Sequence, residues 1–543
     1  MHKGARVADS LSAGAELEKQ SRDCHAIERV PTGVTAFIGR TLRGPVNQPL
    51  TVRSFGEFQQ HFGGLWQPST LSYALEQFFE NGGREARIVR VVNGAGPPTI
   101  SLPAGRGVLT LAGLNPGSRE YLRASVDYDG ISVTEDDRFN LVVQRVRAAG
   151  SELVDDQEIY RRVSMRTVSG RFITDVLLES RLVRVSGALP AVRPDRSAGG
   201  PYGVAVGYTL SNPDGDDGAA LTDYDVIGSA IGGTGLFALG GAGRFNLLCI
   251  PPLARDKDVG LATLLVAARL CREHCALLIV DPPSTWTSAG AALDALRSWP
   301  FRSGSAVMYY PRVQAFDRLR GRVESFASCG AAAGMIARAD DSRPVWTTAE
   351  TEDAILRPGL RPAVAVSDAE RARLAQAGVN TLLAVRGGAR TGVSPRTLAS
   401  GGRGAADWRY LSARRLALFV AASVEQGTRW VLLEHNGPAT WERARLQVQT
   451  FLETLAAQGA FAGTSSEETH FVICDQRVNR PLTLAEGKFN LLFAFATTKP
   501  GEFDTWLVTH RAGGSRVRPV SVNRSATSRQ RVEWEIETAI LRG

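Results

Sequence analysis

The sequence predicts a multidomain α/β protein: a layered α/β core domain with an inserted all-β module, followed by a C-terminal α/β domain that carries extended terminal arms. Three observations predict this class. Apolar strands alternate with helical periodicity over residues 30–95 and again over 200–400. Between these stretches, apolar residues recur with period two, which is typical of antiparallel strands. After residue 401, helices and strands alternate once more.

The first α/β unit follows a polar arm over residues 1–29. Residues 34–39 read VTAFIG, a buried-type strand, and short helices are expected over 53–62 and 71–79. Leu71, Leu75 and Phe78 recur on one helical face. Asn81 and Gly82 are expected to end that helix in the left-handed conformation, and residues 87–92 form the next strand.

The inserted region is predicted to span residues 96–199, after a Gly/Pro linker at 93–98. Strands are expected near 121–127, 139–144 and 182–185. The chain then re-enters the core domain, with strands at 245–250 and 276–280 around a helix at 259–271. Because helices separate these strands, we expect a parallel sheet covered on its faces.

The C-terminal domain is predicted over 401–510, with helices at 411–425 and 441–458. Its strands are expected at 430–434, 470–474, 490–497 and 504–509. Residues 511–531 are rich in Arg, Gly and Ser, and we expect an extended connector. Within the linker and strand of 511–543, Val532, Trp534 and Ile536 alternate with glutamates, which predicts a half-buried strand. Lacking a partner of its own, this strand would pair with another subunit's sheet; the alternative is a frayed, disordered tail.

The amino-acid composition limits the classes of function that this protein can have. The chain has 63 Lys and Arg against 55 Asp and Glu, a net charge of +8, and 43% hydrophobic residues, as in soluble globular proteins. The basic residues are nearly all arginine, which fits a GC-rich genome or salt-bridged subunit interfaces. The sequence contains no dense basic block interleaved with aromatic residues, which is the pattern that would indicate nucleic-acid binding. No apolar run of membrane-spanning length and no signal-like N-terminus is present, so we expect a cytoplasm-like compartment.

The motifs of catalytic sites are missing. Val280-Asp281 ends an apolar strand as in nucleotide hydrolases, but the G-x-x-x-x-G-K-[ST] loop is absent. The glycine-rich run 232–243 precedes a strand instead of following one, and the acidic residues at 214–217 are interpreted as a solvated turn. Cys271, His274 and Cys275 would share a helix face, as a metal site requires, but buried helix cysteines are the preferred interpretation. We therefore expect no enzymatic activity, no catalytic residues, no cofactor and no bound metal.

A series of short motifs carries a resemblance to a known family. In the first α/β unit and the middle of the chain these are VTAFIG at 34–39, RGPV at 43–46, FFENGG at 78–83, NLLCIP at 246–251, IVDPP at 279–283 and MYYP at 308–311. In the C-terminal part they are WRY at 408–410, EQGTRW at 425–430, EHN at 434–436, FVICD at 471–475, GKFN at 487–490 and TKPGEF at 498–503. In this order they resemble the contractile tail sheath proteins of contractile-tailed phages, R-type tailocins and extracellular contractile injection systems.

The resemblance implies a structural subunit. Such subunits bind copies of themselves in hexameric rings or a helical sheath around an inner tube protein, between baseplate and tail-terminator proteins. Contraction drives the tube through a target envelope. Subunits would be made in the cytoplasm of the producing bacterial cell and then join the phage tail or injection-system particle. Neither nucleic-acid binding nor direct membrane insertion is implied.

The resemblance also implies where parts of the chain lie. The C-terminal domain would face the tube, and the 96–199 module would face outward. Arg443 and Arg445 would contact acidic groups on the tube; the alternative is that they belong to a solvated helix face. Val532, Trp534 and Ile536 would form a strand donated to a neighbouring subunit. Residues 1–29 do not match the family, and the chain continues past the family's usual end near 509. A specialised sheath-like paralogue at the baseplate or distal end is therefore the alternative.

Overall fold

The computed structural model describes residues 26–197, 207–347, 355–383, 394–401 and 408–520. In chain order, the strands of this part are β1 (Thr35–Gly39), β2 (Leu50–Val52), β3 (Ala86–Arg90), β4 (Thr99–Ala104), β5 (Gly107–Gly113), β6 (Leu122–Asp127), β7 (Arg138–Val146), β8 (Val154–Ser164), β9 (Val183–Ser186), β10 (Thr209–Leu210), β11 (Leu247–Cys249), β12 (Leu277–Val280), β13 (Ala306–Tyr310), β14 (Val313–Asp317), β15 (Arg322–Phe326), β16 (Arg361–Pro362), β17 (Asn380–Thr381), β18 (His470–Ile473), β19 (Phe489–Ala496), β20 (Phe503–Arg511) and β21 (Gly514–Pro519). The helices are α1 (Phe55–Phe62), α2 (Thr70–Glu80), α3 (Ile173–Leu177), α4 (Asp223–Ile227), α5 (Leu261–Glu273), α6 (Ala289–Ser298), α7 (Cys329–Ser342), α8 (Asp368–Gln376), α9 (Leu411–Gly427), α10 (Pro438–Ala457), α11 (Ser466–Thr469) and α12 (Pro481–Ala485).

A seven-stranded sheet lies at the centre, in the order β17-β13-β12-β11-β1-β3-β2. Its pairs are parallel except β2 with β3. Side chains of a strand alternate between faces, so Phe37 enters one hydrophobic cluster while Ala36 and Ile38 enter a second. Both faces are therefore buried, and the predicted layered parallel sheet is confirmed.

The corner between α2 and β3 depends on glycine. Asn81 ends α2 with an ordinary φ of −90°, and its side-chain amide donates to the Gln77 carbonyl over 2.8 Å. Asn81 is thus the C-cap, as predicted, and of the two residues only Gly82 is left-handed, with φ of 109°. A Cβ on Gly83 would lie 2.2 Å from the Phe78 ring. Any larger residue at 83 would displace that buried aromatic side chain.

Two antiparallel sheets, β4-β5-β9 and β10-β6-β7-β8, occupy residues 99–210. The predicted strands near 121–127, 139–144 and 182–185 are present as β6, β7 and β9. The two sheets enclose a hydrophobic cluster of their own that contains Phe139 and Leu141. The region also contains the short helix α3, and its last strand, β10, lies beyond residue 199. It is thus rich in β structure without being purely β.

The C-terminal sheet is antiparallel, in the order β18-β19-β20-β21. On one face Phe493 and Trp506 belong to the same hydrophobic cluster as Phe37 and Phe78 of the first α/β unit. The opposite face carries a smaller cluster around Phe471 and Leu492. The central and C-terminal layers therefore share one continuous core.

Two predictions for the C-terminal part were wrong. The expected strand at 430–434 is a 3₁₀ helix, Arg429–Leu433, in which a tight turn buries Val431 and leaves Leu433 on the surface. The expected connector from 511 begins instead with the β20–β21 hairpin. Ala512 and Gly513 form its turn, Gly514 begins β21 with a φ of 127°, and Val517 is buried. Residues 532–538 lie outside the described part of the chain.

One helical stretch in the described part, Leu411–Leu433, is long and apolar enough by composition to cross a membrane. In its most apolar window, 67% of the residues are buried inside the protein, as in the core helix of a soluble protein. The apolar surface of this stretch is thus used for packing.

Candidate assembly surfaces

The central and C-terminal layers are joined by a buried ion pair. Arg415 of α9 and Asp340 of α7 form a two-pronged contact, with the Nη1–Oδ1 distance at 2.5 Å. Their side chains are 12% and 6% exposed. Arg415 also donates to the Thr32 carbonyl over 3.3 Å. Because a buried charge is costly without its partner, this pair fixes how α9 sits on α7.

A second arginine of α9 is buried beside it. The Arg414 guanidinium lies 4.6 Å from the Trp408 ring and 5.8 Å from the Trp506 ring, and it donates to Ser305 Oγ over 2.9 Å. Burial lowers the pKa of Arg414 to about 10, so the group remains cationic at neutral pH. The contact ties the C-terminal sheet to the loop that precedes β13.

A third contact lies at the end of α9. Glu425 accepts from Arg244, ahead of β11, over 2.5 Å and from Arg429 over 2.8 Å.

A buried histidine lies nearby. Thr428 Oγ1 contacts His510 Nε2 at 2.8 Å, and His510 Nδ1 contacts Ser515 Oγ at 2.6 Å. Burial lowers the pKa of His510 to about 4, so this imidazole is neutral at neutral pH.

The chain segment just before β1 packs on the C-terminal layer too. Ile27 is buried against Gly427, where an added Cβ would lie 2.8 Å from the Ile27 side chain. The Val30 amide donates to Ser423 Oγ over 3.3 Å, and Arg29 donates to Gln458 Oε1 over 2.5 Å. Residues 26–30, expected to belong largely to an arm, are thus part of the packed body.

The region 99–210 is attached differently, through two adjacent chain crossings. Gly96 and Asp216 exchange backbone hydrogen bonds of 3.0 and 2.9 Å. The Asp214 carboxylate accepts from the Thr99 amide, and Asp217 accepts from the Ser118 amide and hydroxyl. The acidic turn predicted at 214–217 therefore closes the crossings, with the carboxylates of Asp214 and Asp217 bound by protein donors.

The candidate tube-contact arginines lie near the start of α10. Arg443 pairs with Glu434 at 3.1 Å and lies 4.9 Å from the Trp430 ring. Arg445 pairs with Glu442 at 2.6 Å. Sequence reasoning missed both carboxylates. The pairing of Glu442 with Arg445 was predictable, because residues three apart on a helix are neighbours. The pairing of Glu434 with Arg443 was not, because it depends on the unpredicted 3₁₀ turn.

The residues weighed for chemistry have structural roles here. Burial raises the pKa of the Cys275 thiol to about 12, and the His274 ring stacks on Phe245 with ring centres 5.2 Å apart. Asp281 accepts from the amides of Ser328 and Cys329, both at 2.7 Å, at the start of α7. Within the described ranges, no three His, Cys, Asp or Glu side chains are grouped to hold a metal.

Comparison with known proteins addresses the fold. No family model and no curated protein matches the sequence. The sheath tail protein Lin1278 from Listeria innocua matches over 90% of this chain and 97% of its own, with a TM-score of 0.56 and 11% identity. The contracted sheath complex of the extracellular contractile injection system PVC covers 88% and 91%, with a TM-score of 0.49 and 16% identity. The sheath tail protein DSY3957 from Desulfitobacterium hafniense covers 89% and 97%, with a TM-score of 0.48 and 12% identity.

The likeness to the Listeria innocua protein extends over nearly the whole of both chains, so it includes the central sheet and the C-terminal sheet together. It agrees with the motif-based resemblance at the level of the fold. The chain has the fold of the sheath tail proteins.

Proposed function

We propose that the chain is the structural subunit of a contractile tail sheath, which polymerises around an inner tube and contracts to drive the tube through a target envelope. The observation that carries the proposal is the shared fold with a sheath tail protein over 90% of the chain. The sequence motifs support it independently, because they are distributed in order through both α/β parts. No catalytic role is assigned to any residue.

The continuous core supports a subunit that moves as one body. The hydrophobic cluster shared by the central and C-terminal layers, with the Arg415–Asp340 pair, opposes bending between them. In this proposal contraction changes contacts between subunits while each subunit keeps its fold. The energy is then stored in subunit packing, with no nucleotide required.

We propose that the C-terminal layer faces the inner tube and that the 99–210 region faces outward. The outward placement is supported by its separate core and its attachment through two adjacent crossings. Arg443 and Arg445 remain the proposed tube contacts. A tube carboxylate would then join or replace Glu434 and Glu442 as their partners.

We further propose that Val532, Trp534 and Ile536 form a strand donated to a neighbouring copy, which keeps subunits linked while they slide. Deleting residues 530–543 should then leave a folded subunit that no longer polymerises. The partners in the particle would be copies of this chain, the tube protein, and the baseplate and terminator proteins. Assembly would take place in the cytoplasm of the producing cell.

Electron microscopy tests the main proposal. Purified protein, or lysate of the source cell, should contain hollow tubes or sheathed particles, and antibody labelling should decorate them along their length. Label confined to one end would favour the baseplate or distal paralogue. A monodisperse particle that forms no tubes with its tube protein would contradict the main-sheath role.

A further inference from the structure

The C-terminal sheet ends in an open edge. Among the described strands, β21 pairs with β20 alone, so its outer side presents unpaired backbone amides and carbonyls. Such an edge is a template for one more strand. The occupant that fits it is indicated by the side chains beside it.

A cleft of about 850 Å³ lies alongside this edge, between the β20–β21 hairpin and the C-terminal ends of α5 and α9. Five arginines line it: Arg244, Arg269, Arg429, Arg511 and Arg516. The lining carboxylates are Glu273 and Glu425, so three positive charges are left in excess. Glu273 pairs with Arg269, and Glu425 is shared by Arg244 and Arg429. Arg511 and Arg516 form no ion pair within the described residues.

The strand β21 has an alternating pattern. Arg516 and Arg518 are exposed on one face, while Val517 between them is buried in the shared core. A strand added to this edge would place alternate side chains beside the arginines and beside Val517. The matching sequence alternates acidic with apolar residues, because opposite charges on neighbouring strands attract.

One segment of this chain has that sequence. Residues 532–538 read VEWEIET, with Glu533, Glu535 and Glu537 separated by large apolar residues. They carry three negative charges against the three excess positive charges of the cleft. The last described residue, Val520, directly follows β21. The eleven residues 521–531 can extend about 36 Å, which exceeds the ~20 Å length of a six-residue strand.

We propose that the cleft beside β21 is the seat of the chain's own segment 532–538, which pairs with β21 in the unassembled subunit. The glutamates lie against Arg511 and Arg516, and Trp534 lies on the side of Val517. A tether of eleven residues gives the segment a millimolar effective concentration, so it occupies the seat ahead of another copy at micromolar concentration. The free subunit thereby covers its own edge.

Hydrogen exchange of the β21 amides tests this seat, at concentrations where no tubes form. In the full chain, amides of 514–519 should exchange about tenfold more slowly than in a chain ending at 520, and dilution should not change the ratio. Glu533→Lys/Glu535→Lys/Glu537→Lys should abolish the difference. Combining it with Arg511→Glu/Arg516→Glu should restore it. Arg297→Glu, on the exposed side of α6 away from the cleft, is the control and should have no effect.

Two outcomes would overturn the proposal. Equal exchange in the full and shortened chains would mean that the segment does not cover the edge. Protection that disappears on dilution would assign the seat to another copy's tail. Because hydrogen exchange is measured on unassembled protein, its result tests this proposal separately from the microscopy that tests the sheath function.

Discussion

The C-terminal layer and the 99–210 region both contain antiparallel sheets, yet they are attached to the central sheet in different ways. The C-terminal layer shares its hydrophobic cluster with the central sheet and adds buried arginine contacts. The 99–210 region encloses a core of its own and is connected through the crossings at Gly96 and Asp216. Where a core is shared, damage is expected to spread. Where it is separate, damage should stay local.

Matched core truncations should separate the two regions most strongly. Phe493 and Phe139 are both fully buried, so Phe493→Ala and Phe139→Ala should each cost about 3–5 kcal/mol of unfolding free energy. Phe493→Ala should lower the single transition of the central and C-terminal layers. Phe139→Ala should shift only a separate transition of 99–210. Calorimetry of the unassembled subunit resolves this, and one common transition in both variants would refute the separation.

Breaking the buried ion pair should be nearly as costly. Asp340→Ala leaves Arg415 buried without its carboxylate, and we expect a loss of about 3–5 kcal/mol in urea unfolding. The control is Asp129→Ala, which breaks the exposed pair with Arg196 in the 99–210 region and should cost under about 1 kcal/mol. Similar losses of unfolding free energy in the two variants would show that the packing of the C-terminal layer on the central layer does not depend on this contact.

Acid should destabilise the C-terminal layer through His510, whose ring contacts Thr428 and Ser515. Its pKa is lowered to about 4 in the fold, below its usual 6.5, so the folded state favours the neutral ring. That stabilisation is complete above pH 6.5 and is lost as pH falls towards 4, by about 3 kcal/mol. His510→Gln should therefore lose about that much less stability than wild type between pH 6.5 and 4, and parallel curves would contradict this.

Part of this architecture follows from sequence alone. The strand β1 and the helix α2 were predictable because their apolar periodicity is local, and the shared sheath-type fold followed from ordered motifs. The burial of Arg414 between Trp408 and Trp506 was not predictable, because it joins residues almost a hundred positions apart. The strand β21 was missed because its Arg- and Gly-rich composition suggests a loop, whereas pairing with β20 supplies the stability.

The surface arginines of α10 should matter little for folding. Arg443→Glu/Arg445→Glu breaks two surface pairs, each worth at most about 1 kcal/mol, so thermal unfolding should change only slightly. If these arginines contact the tube, co-assembly with the tube protein should fail while the fold persists. Arg297→Glu should assemble normally. Sheathed particles of ordinary length from the double variant would remove both residues from the tube interface.

The largest deletion should have the smallest effect. Replacing residues 97–215 by a short Gly/Ser linker joins the chain where Gly96 and Asp216 are already hydrogen-bonded, so the remaining layers should keep their unfolding temperature within a few degrees. Tube formation should persist, as microscopy would show. Loss of the fold would mean that contacts such as Arg43 with Asp155 hold the core together.

The paired crossings at Gly96 and Asp216 also bear on how such a protein diversifies. The two backbone bonds close the same short loop whatever length of chain lies between them. Evolution, or a designer, can exchange the intervening segment without changing the contacts within the central sheet. This position is therefore a suitable insertion site for a foreign domain, such as a receptor-binding or a fluorescent domain.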